Sequence, residues 1–307
     1  MHHCTMYNQD RGKHPANGET IIMHIYEEIT NRIIAQLEQG IIPWRKEWTV
    51  TGESGLPANF QTKKPYRGIN ILTLMATPYA SRWWMTYKQA QELGGQVRKG
   101  ERGQHIVFWK FDKKVDAATG DEEKIAFARM YTVFNLEQVD GITAALPLDD
   151  GRTFDPIAEA DAVVTAYMSS GNHPTLAHGG DRAFYRPSTD HVQMPPQTAF
   201  SHPRAYYSTA FHELTHSTAA PSRLDRKLGH TFGDCDYSKE ELIAELGASF
   251  LCADAGIACC ELLTNSAAYI QAWLHKLRND KTLVVSAAQH AQKACDFILG
   301  RKWDSEG

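Results

Sequence analysis

The pentapeptide His212-Glu213-Leu214-Thr215-His216 restricts this chain more than any other stretch, because its spacing acquires chemical meaning on a helix. Side chains four residues apart lie on one helical face. His212 and His216 can therefore offer two imidazole nitrogens to one Zn²⁺, with Glu213 beside the open position as a general base. The flanking sequence predicts the helix. Ser201 and Pro203 suit a cap and first turn. Tyr206, Tyr207, Ala210, Phe211 and Leu214 form an apolar stripe, and Pro221 marks the stop. An amphipathic helix with two ordinary histidines would share the five-residue spacing, so the metal reading rests on this context.

The long metzincin signature is not completed: Ala219 stands at its glycine and Ser222 at its third histidine. A third ligand must come from elsewhere. On the predicted helix Tyr237 to Gly247, Glu241 and Glu245 are one turn apart on one face. One carboxylate can bind the metal while the other accepts a proton from a ligating imidazole. Glu241 is the expected ligand and Glu245 its outer partner or alternative. His230 and Asp234, in the intervening loop, are further alternatives. The segment resembles the E-x-x-A-D helix of gluzincin peptidases, with Glu241 at the ligand position and Glu245 at that of the aspartate. Ser238 with Glu241 three residues on also fits a capping box.

At 307 residues the chain is long enough for two domains with real cores. Its hydrophobic fraction of 42% and charged fraction of 22% are those of globular proteins, which excludes disordered and fibrous classes. No apolar run reaches membrane-spanning length, and no secretory signal core is seen at the N-terminus, so a cytoplasmic protein without a membrane partner is expected. The six cysteines form no CxxC pair and read as reduced thiols.

The net charge of −4 conceals an asymmetry. From Phe60 to Lys114 there are eleven basic residues against three acidic ones, a net +8 that leaves −12 for the remainder. Phe60, Tyr66, Tyr79, Trp83, Trp84, Tyr87, Phe108, Trp109 and Phe111 are interleaved with them. Positive charge follows a phosphate backbone and aromatic faces stack unpaired bases, a combination suited to single-stranded nucleic acid. Tyr66, Trp84, Tyr87 and Trp109 are the expected stacking residues, with Arg67, Lys88, Lys99 and Lys110 on phosphates.

Gly40-Ile-Ile-Pro-Trp44, Pro57-Ala-Asn-Phe60, Pro65-Tyr-Arg-Gly-Ile-Asn70, Trp84-Met-Thr-Tyr-Lys-Gln-Ala90, Gly94-Gly-Gln-Val-Arg-Lys-Gly100 and Ile106-Val-Phe-Trp109 follow one another, ahead of the HELTH motif. This succession resembles the ArdC-type antirestriction proteins, from residue 23 to about residue 300. The resemblance implies a single-stranded DNA-binding domain joined to a zincin-like domain, carried on mobile elements and shielding incoming DNA from host restriction.

The expected fold class is α+β: a small α+β single-stranded DNA-binding domain, then a gluzincin-type zincin-like α+β metallopeptidase domain. Residues 1–22 read as a flexible extension, 23–140 as the DNA-binding domain, 141–154 as a linker and 155–307 as the metallopeptidase domain. Helices are predicted from Ile25 to Leu37, from Tyr66 to Met75, from Tyr87 to Leu93 and from Asp155 to Gly171. Strands are predicted at 106–111 and 127–134, and a hairpin between Leu176 and Met194.

With one Zn²⁺ per chain (or another divalent metal) on His212, His216 and Glu241, Glu213 would serve hydrolysis of a protein substrate bound near DNA. Tyr206, Tyr207, Tyr237 and His230 are candidate oxyanion donors. The alternatives are a non-catalytic DNA-coating protein with a structural or vestigial metal site, or an intracellular zinc peptidase unrelated to DNA protection. Glu213 favours hydrolysis, since a purely structural site has no need of it.

Overall fold

The fold is α+β, and the computed structural model describes residues 18–45, 55–115, 122–142, 156–228, 235–257 and 267–302. Ile25, Ile29, Ile33 and Leu37 recur at helical spacing and are all buried on helix α1 (Gly18–Glu38). The helix closes at Gly40, whose φ of 78° suits glycine and whose N–H bonds the Leu37 carbonyl. It begins at Gly18, inside the stretch expected to be an extension.

The first half continues with β1 (Ala58–Asn59), α2 (Ile69–Met75), β2 (Trp83–Thr86), α3 (Tyr87–Glu92), β3 (Gln96–Val97), β4 (Gln104–Val115), β5 (Glu122–Asn135) and β6 (Val139–Asp140). Four strands form a sheet in the order β1-β2-β5-β4, parallel between β1 and β2 and antiparallel elsewhere. β3 and β6 make a separate ribbon. Thr86 starts α3 with a capping box: its hydroxyl accepts from Gln89 N–H at 3.2 Å, and the Gln89 side chain accepts from Thr86 N–H at 2.9 Å. The outer edge of β4 is blunted by Asn70, whose side chain donates to the Val107 carbonyl at 2.7 Å and accepts from its N–H at 2.8 Å.

The second half comprises α4 (Pro156–Met168), β7 (Thr175–His178), β8 (Phe184–Arg186), β9 (His191–Met194), α5 (Pro203–Ser217), α6 (Cys235–Asp254), α7 (Ala267–Asn279) and α8 (Leu283–Ile298). The expected hairpin is β8 with β9, but Leu176 belongs to β7, which runs parallel to β9. The order β7-β9-β8 leaves β8 at an edge. The cap of α5 is His202 and not Ser201: with extended backbone, its side chain accepts the Ala205 N–H at 3.2 Å. α6 starts at Cys235, so Ser238 lies inside the helix and makes no capping box with Glu241.

One hydrophobic cluster crosses both halves of the sequence. It joins Ile29, Ile33, Ile71 and Leu72 of the first half to Phe211, Leu242, Phe250, Trp273, Leu277 and Val285 of the second. Trp44, fully buried, meets Trp273 edge to face at 6.4 Å. Polar ties reinforce the contact. Arg67 pairs with Asp296, and Gly68 N–H donates to Gln292 Oε1 at 3.0 Å. Gly68 has φ 54°, a conformation that glycine adopts without strain.

Cys252 and Cys295 are buried thiols outside any disulfide. Among the described residues no helix is long and apolar enough to cross a membrane. Most of the expected linker, with Asp155, His230 and Asp234, lies outside the described residues, as does the Tyr237 side chain.

Candidate metal centre

The site forms where α5 crosses α6. Close approach is possible at Gly247, where a Cβ would come within 2.6 Å of the Thr215 side chain. His212 and His216 project from α5 towards Glu241 on α6. Their Nε2 atoms are 3.1 Å apart; Glu241 Oε1 is 3.5 Å from His216 Nε2 and Glu241 Oε2 is 3.8 Å from His212 Nε2. One donor atom from each of the three lies within 4.8 Å of the others. A tetrahedral site with bonds of about 2.0–2.2 Å has ligand atoms about 3.3–3.6 Å apart. The observed separations bracket that range, and two imidazoles with a carboxylate are a donor set suited to a divalent ion.

The carboxylate behind His216 is Glu240, the residue before the expected ligand. Its Oε1 is 3.4 Å from His216 Nδ1. Arg226 clamps Glu240 from the other side, with Nη2 to Oε1 at 2.7 Å and Nε to Oε2 at 3.0 Å. Arg226 also donates to the Thr215 carbonyl and the Thr218 hydroxyl, tying the chain after α5 to α6. Glu245 is buried and close enough to His212 to act on its charge. His212 Nδ1 is buried without a hydrogen-bond partner, so Glu245 does not accept its proton here. Neither Glu240 nor Arg226 was singled out from the sequence, because no spacing rule links them across the intervening loop.

Burial lowers the His212 pKa, and the neighbouring His216 adds to the shift. Burial also acts to lower His216, but hydrogen bonds with Glu240 and Glu241 outweigh it and the net shift is upward. Glu213 is 9% exposed, and burial raises its pKa. The Tyr185 backbone acts against that rise, so strand β8 borders the general-base position. Tyr185 itself donates through its hydroxyl to Asp190 at 2.9 Å, and Asp190 pairs with Arg223. Tyr206 and Tyr207 point elsewhere: the Tyr206 hydroxyl is 2.8 Å from His178 Nε2, and Tyr207 donates to Asp161 at 3.0 Å.

The residues expected to bind DNA are scattered. Trp84 is 1% exposed, packed with Leu74, Ile106 and Val133, and offers no ring face to a base. Strand alternation turns Trp83 the other way. Arg67 is engaged with Asp296, and Tyr66 packs against the Trp84 cluster. Tyr87 is 43% exposed and lines a cleft of about 530 Å³ with Gln96, Lys99 and Phe134. Lys88 is exposed, 3.6 Å from Glu92. Trp109 and Lys110 belong to β4, and their side chains lie outside the described residues.

Residues 23–134 match the N-terminal domain of anti-restriction factor ArdC, and residues 160–290 match a zincin-like metallopeptidase family. The chain is 40% identical over 296 residues to the uncharacterized protein y4eC of Sinorhizobium fredii, covering 92% of this chain and 94% of that protein. It is 41% identical over 298 residues to DNA primase TraC of Escherichia coli, covering 89% of this chain but only 27% of the primase. It is similar to the metal-free crystal structure of the antirestriction protein ArdC from the R388 plasmid, with a TM-score of 0.72 at 40% identity, covering 89% and 96% of the two chains. The Mn(II)-bound structure of the same protein gives a TM-score of 0.70 at 40% identity, covering 90% and 97%.

Proposed function

This chain belongs to the ArdC antirestriction family, and on that premise we propose that it protects the incoming DNA of a mobile element by binding single strands and by carrying a metal-dependent peptidase site. The observation that carries the second part is the convergence of His212, His216 and Glu241 with donor atoms within 4.8 Å, beside Glu213 on the same helix. These three residues would hold one divalent ion, with zinc expected from the donor set and manganese compatible with the relative that binds it. Bound there, the ion supplies a Lewis acid and an acidified water.

The chain's own residues do the rest. Glu213, buried beside the Tyr185 backbone, accepts a proton from the attacking water and passes it to the leaving amide nitrogen. β8 is an edge strand beside Glu213, so an extended peptide can add to it by backbone pairing. Glu240 orients His216, and Arg226 fixes Glu240. We assign single-strand binding to residues 23–140 and the metal chemistry to 155–307, with Tyr87, Lys88 and Lys99 of the expected DNA contacts on the surface. The protein is proposed to act in the cytoplasm, on a protein substrate near the DNA.

The test is metal stoichiometry on the purified chain, followed by peptidase assay. His212→Ala and His216→Ala should lose the ion, and Glu213→Ala should keep it while losing hydrolysis. Stoichiometric metal in both histidine variants rejects the site. Metal binding with no hydrolysis of any DNA-associated protein would leave a non-catalytic coating role.

A further inference from the structure

Trp83 carries a cation on its ring from each of two directions in the sequence. Lys63 Nζ is 4.5 Å from the indole centroid and 3.9 Å from the Phe60 centroid, and Arg82 Cζ is 4.8 Å from the indole. The Phe60 and Trp83 rings meet edge to face, 5.9 Å apart. The backbone is shaped to hold the cations there. Lys63 has φ 60°, an uncommon conformation for a residue with a side chain. It is held in a turn in which Asn59 Oδ1 accepts from Gln61 N–H at 3.1 Å and Thr62 N–H at 2.9 Å, and Lys63 N–H donates to the Asn59 carbonyl at 2.9 Å. At Gly55, φ 119°, a Cβ would overlap the Arg82 guanidinium, so glycine leaves it room.

Charge indicates the occupant. From Gly55 to Gln91 the sequence contains no Asp or Glu, yet it contains Lys63, Lys64, Arg67, Arg82 and Lys88. Lys63 forms no ion pair with a carboxylate among the described residues. An indole with two cations over it matches a chain that alternates flat π-faces with negative charges. Trp83 is also carried on a sheet strand, where a stacking platform is held more firmly than on a loop.

We propose that Phe60, Lys63, Arg82 and Trp83 form a principal docking point for single-stranded DNA. A base takes the indole face that Lys63 covers, and the ammonium turns to the adjacent phosphate. Arg82 holds the next phosphate. The proposal rests on the single-strand reading above and assigns it to residues outside the stacking and phosphate contacts expected there.

The test is binding of a fluorescent oligothymidylate to the full chain across a salt series, for wild type, Trp83→Ala, Trp83→Phe and Lys63→Ala. Trp83→Ala should weaken binding by about 5- to 150-fold, the range of one lost stacking contact, while Trp83→Phe keeps most of it. Lys63→Ala should reduce the slope of log affinity against log salt by about 0.7, the value of one phosphate contact on a single strand. Wild-type affinity and slope in Trp83→Ala and Lys63→Ala would overturn the docking point and leave the single-strand reading standing. No binding by the wild type would overturn both. Should Trp83→Ala fail to fold, Trp83→Phe and the slope of Lys63→Ala decide. Loss of self-association in Trp83→Ala, with DNA affinity intact, would give the surface to a second copy of the chain and overturn the proposal.

Discussion

Arg226 and Glu240 form a two-pronged ion pair in which both side chains are almost wholly buried, 6% and 4% exposed, directly behind His216. The pair is the outer support of the candidate metal centre and fastens the segment after α5 to α6.

Removing one member strands the other charge. Arg226→Met should cost about 3–5 kcal/mol, because Glu240 is left buried with only the longer contact to His216. The double variant Arg226→Met/Glu240→Met should recover most of that loss, since apolar replacement of a buried pair is often neutral. Urea unfolding at constant m would show this as a lower midpoint for the single variant only. Equal midpoints in wild type and Arg226→Met would mean that the pair contributes nothing.

Gly247→Ala sets two effects against each other. Alanine favours the helix by about 0.5–1 kcal/mol, whereas overpacking a buried contact costs about 1–3 kcal/mol. Thr215 cannot easily yield, because its hydroxyl donates to the Phe211 carbonyl at 2.7 Å within the buried helix. The variant should therefore be less stable than wild type and bind metal more weakly, as α5 shifts from α6. A rise in melting temperature with unchanged metal affinity would show that the helices part without cost.

Metal should stabilise the folded chain by mass action. At free metal 100-fold above Kd the gain is about 2.7 kcal/mol. The increment should vanish in His216→Ala and persist in Glu213→Ala, as read from melting temperature with and without chelator. A chelator that leaves the wild-type melting curve unmoved would count against the centre.

Asp190 supplies an acid-dependent term. Burial acts to raise its pKa, but hydrogen bonds from Arg223 and Tyr185 outweigh it and the net shift is downward. A depressed carboxylate stabilises the fold above its unfolded value, near 3.9, and that contribution is lost as pH falls through the lower folded value. Asp190→Asn should thus be less stable than wild type at neutral pH, with the difference shrinking below about pH 4. Paired denaturation curves at neutral and acid pH would measure it; a difference independent of pH would assign the loss to packing.

Local spacing made several features legible. The four-residue interval placed His212 and His216 on one face, and the same interval singled out Glu241 and Glu245 on the following helix. Apolar recurrence predicted α3 and α4 to within a few residues and the end of α1 but not its start at Gly18, and alternation predicted the strand pair β4–β5. Other features were not legible, for identifiable reasons. Ser201 looked like the cap of α5, yet His202 caps it, since an imidazole nitrogen can accept the same N–H. Trp83 and Trp84 had to face opposite sides of a strand, but which of the two rings is sealed depends on Leu74, Ile106 and Val133 arriving from other elements around Trp84.

The amino-acid sequence by itself determined the helix that carries the two histidines, the carboxylate-bearing helix after it and the basic, aromatic character of the first half. Each is a property of neighbours along the chain, expressed through a fixed backbone period. Only the tertiary structure decided that Glu240 and not Glu245 faces His216, that Arg226 returns across a loop to hold it, and that both halves share one core. Those outcomes depend on how closely α5 approaches α6 at Gly247 and on which surfaces exclude water together, and neither is encoded in the spacing of residues along one segment.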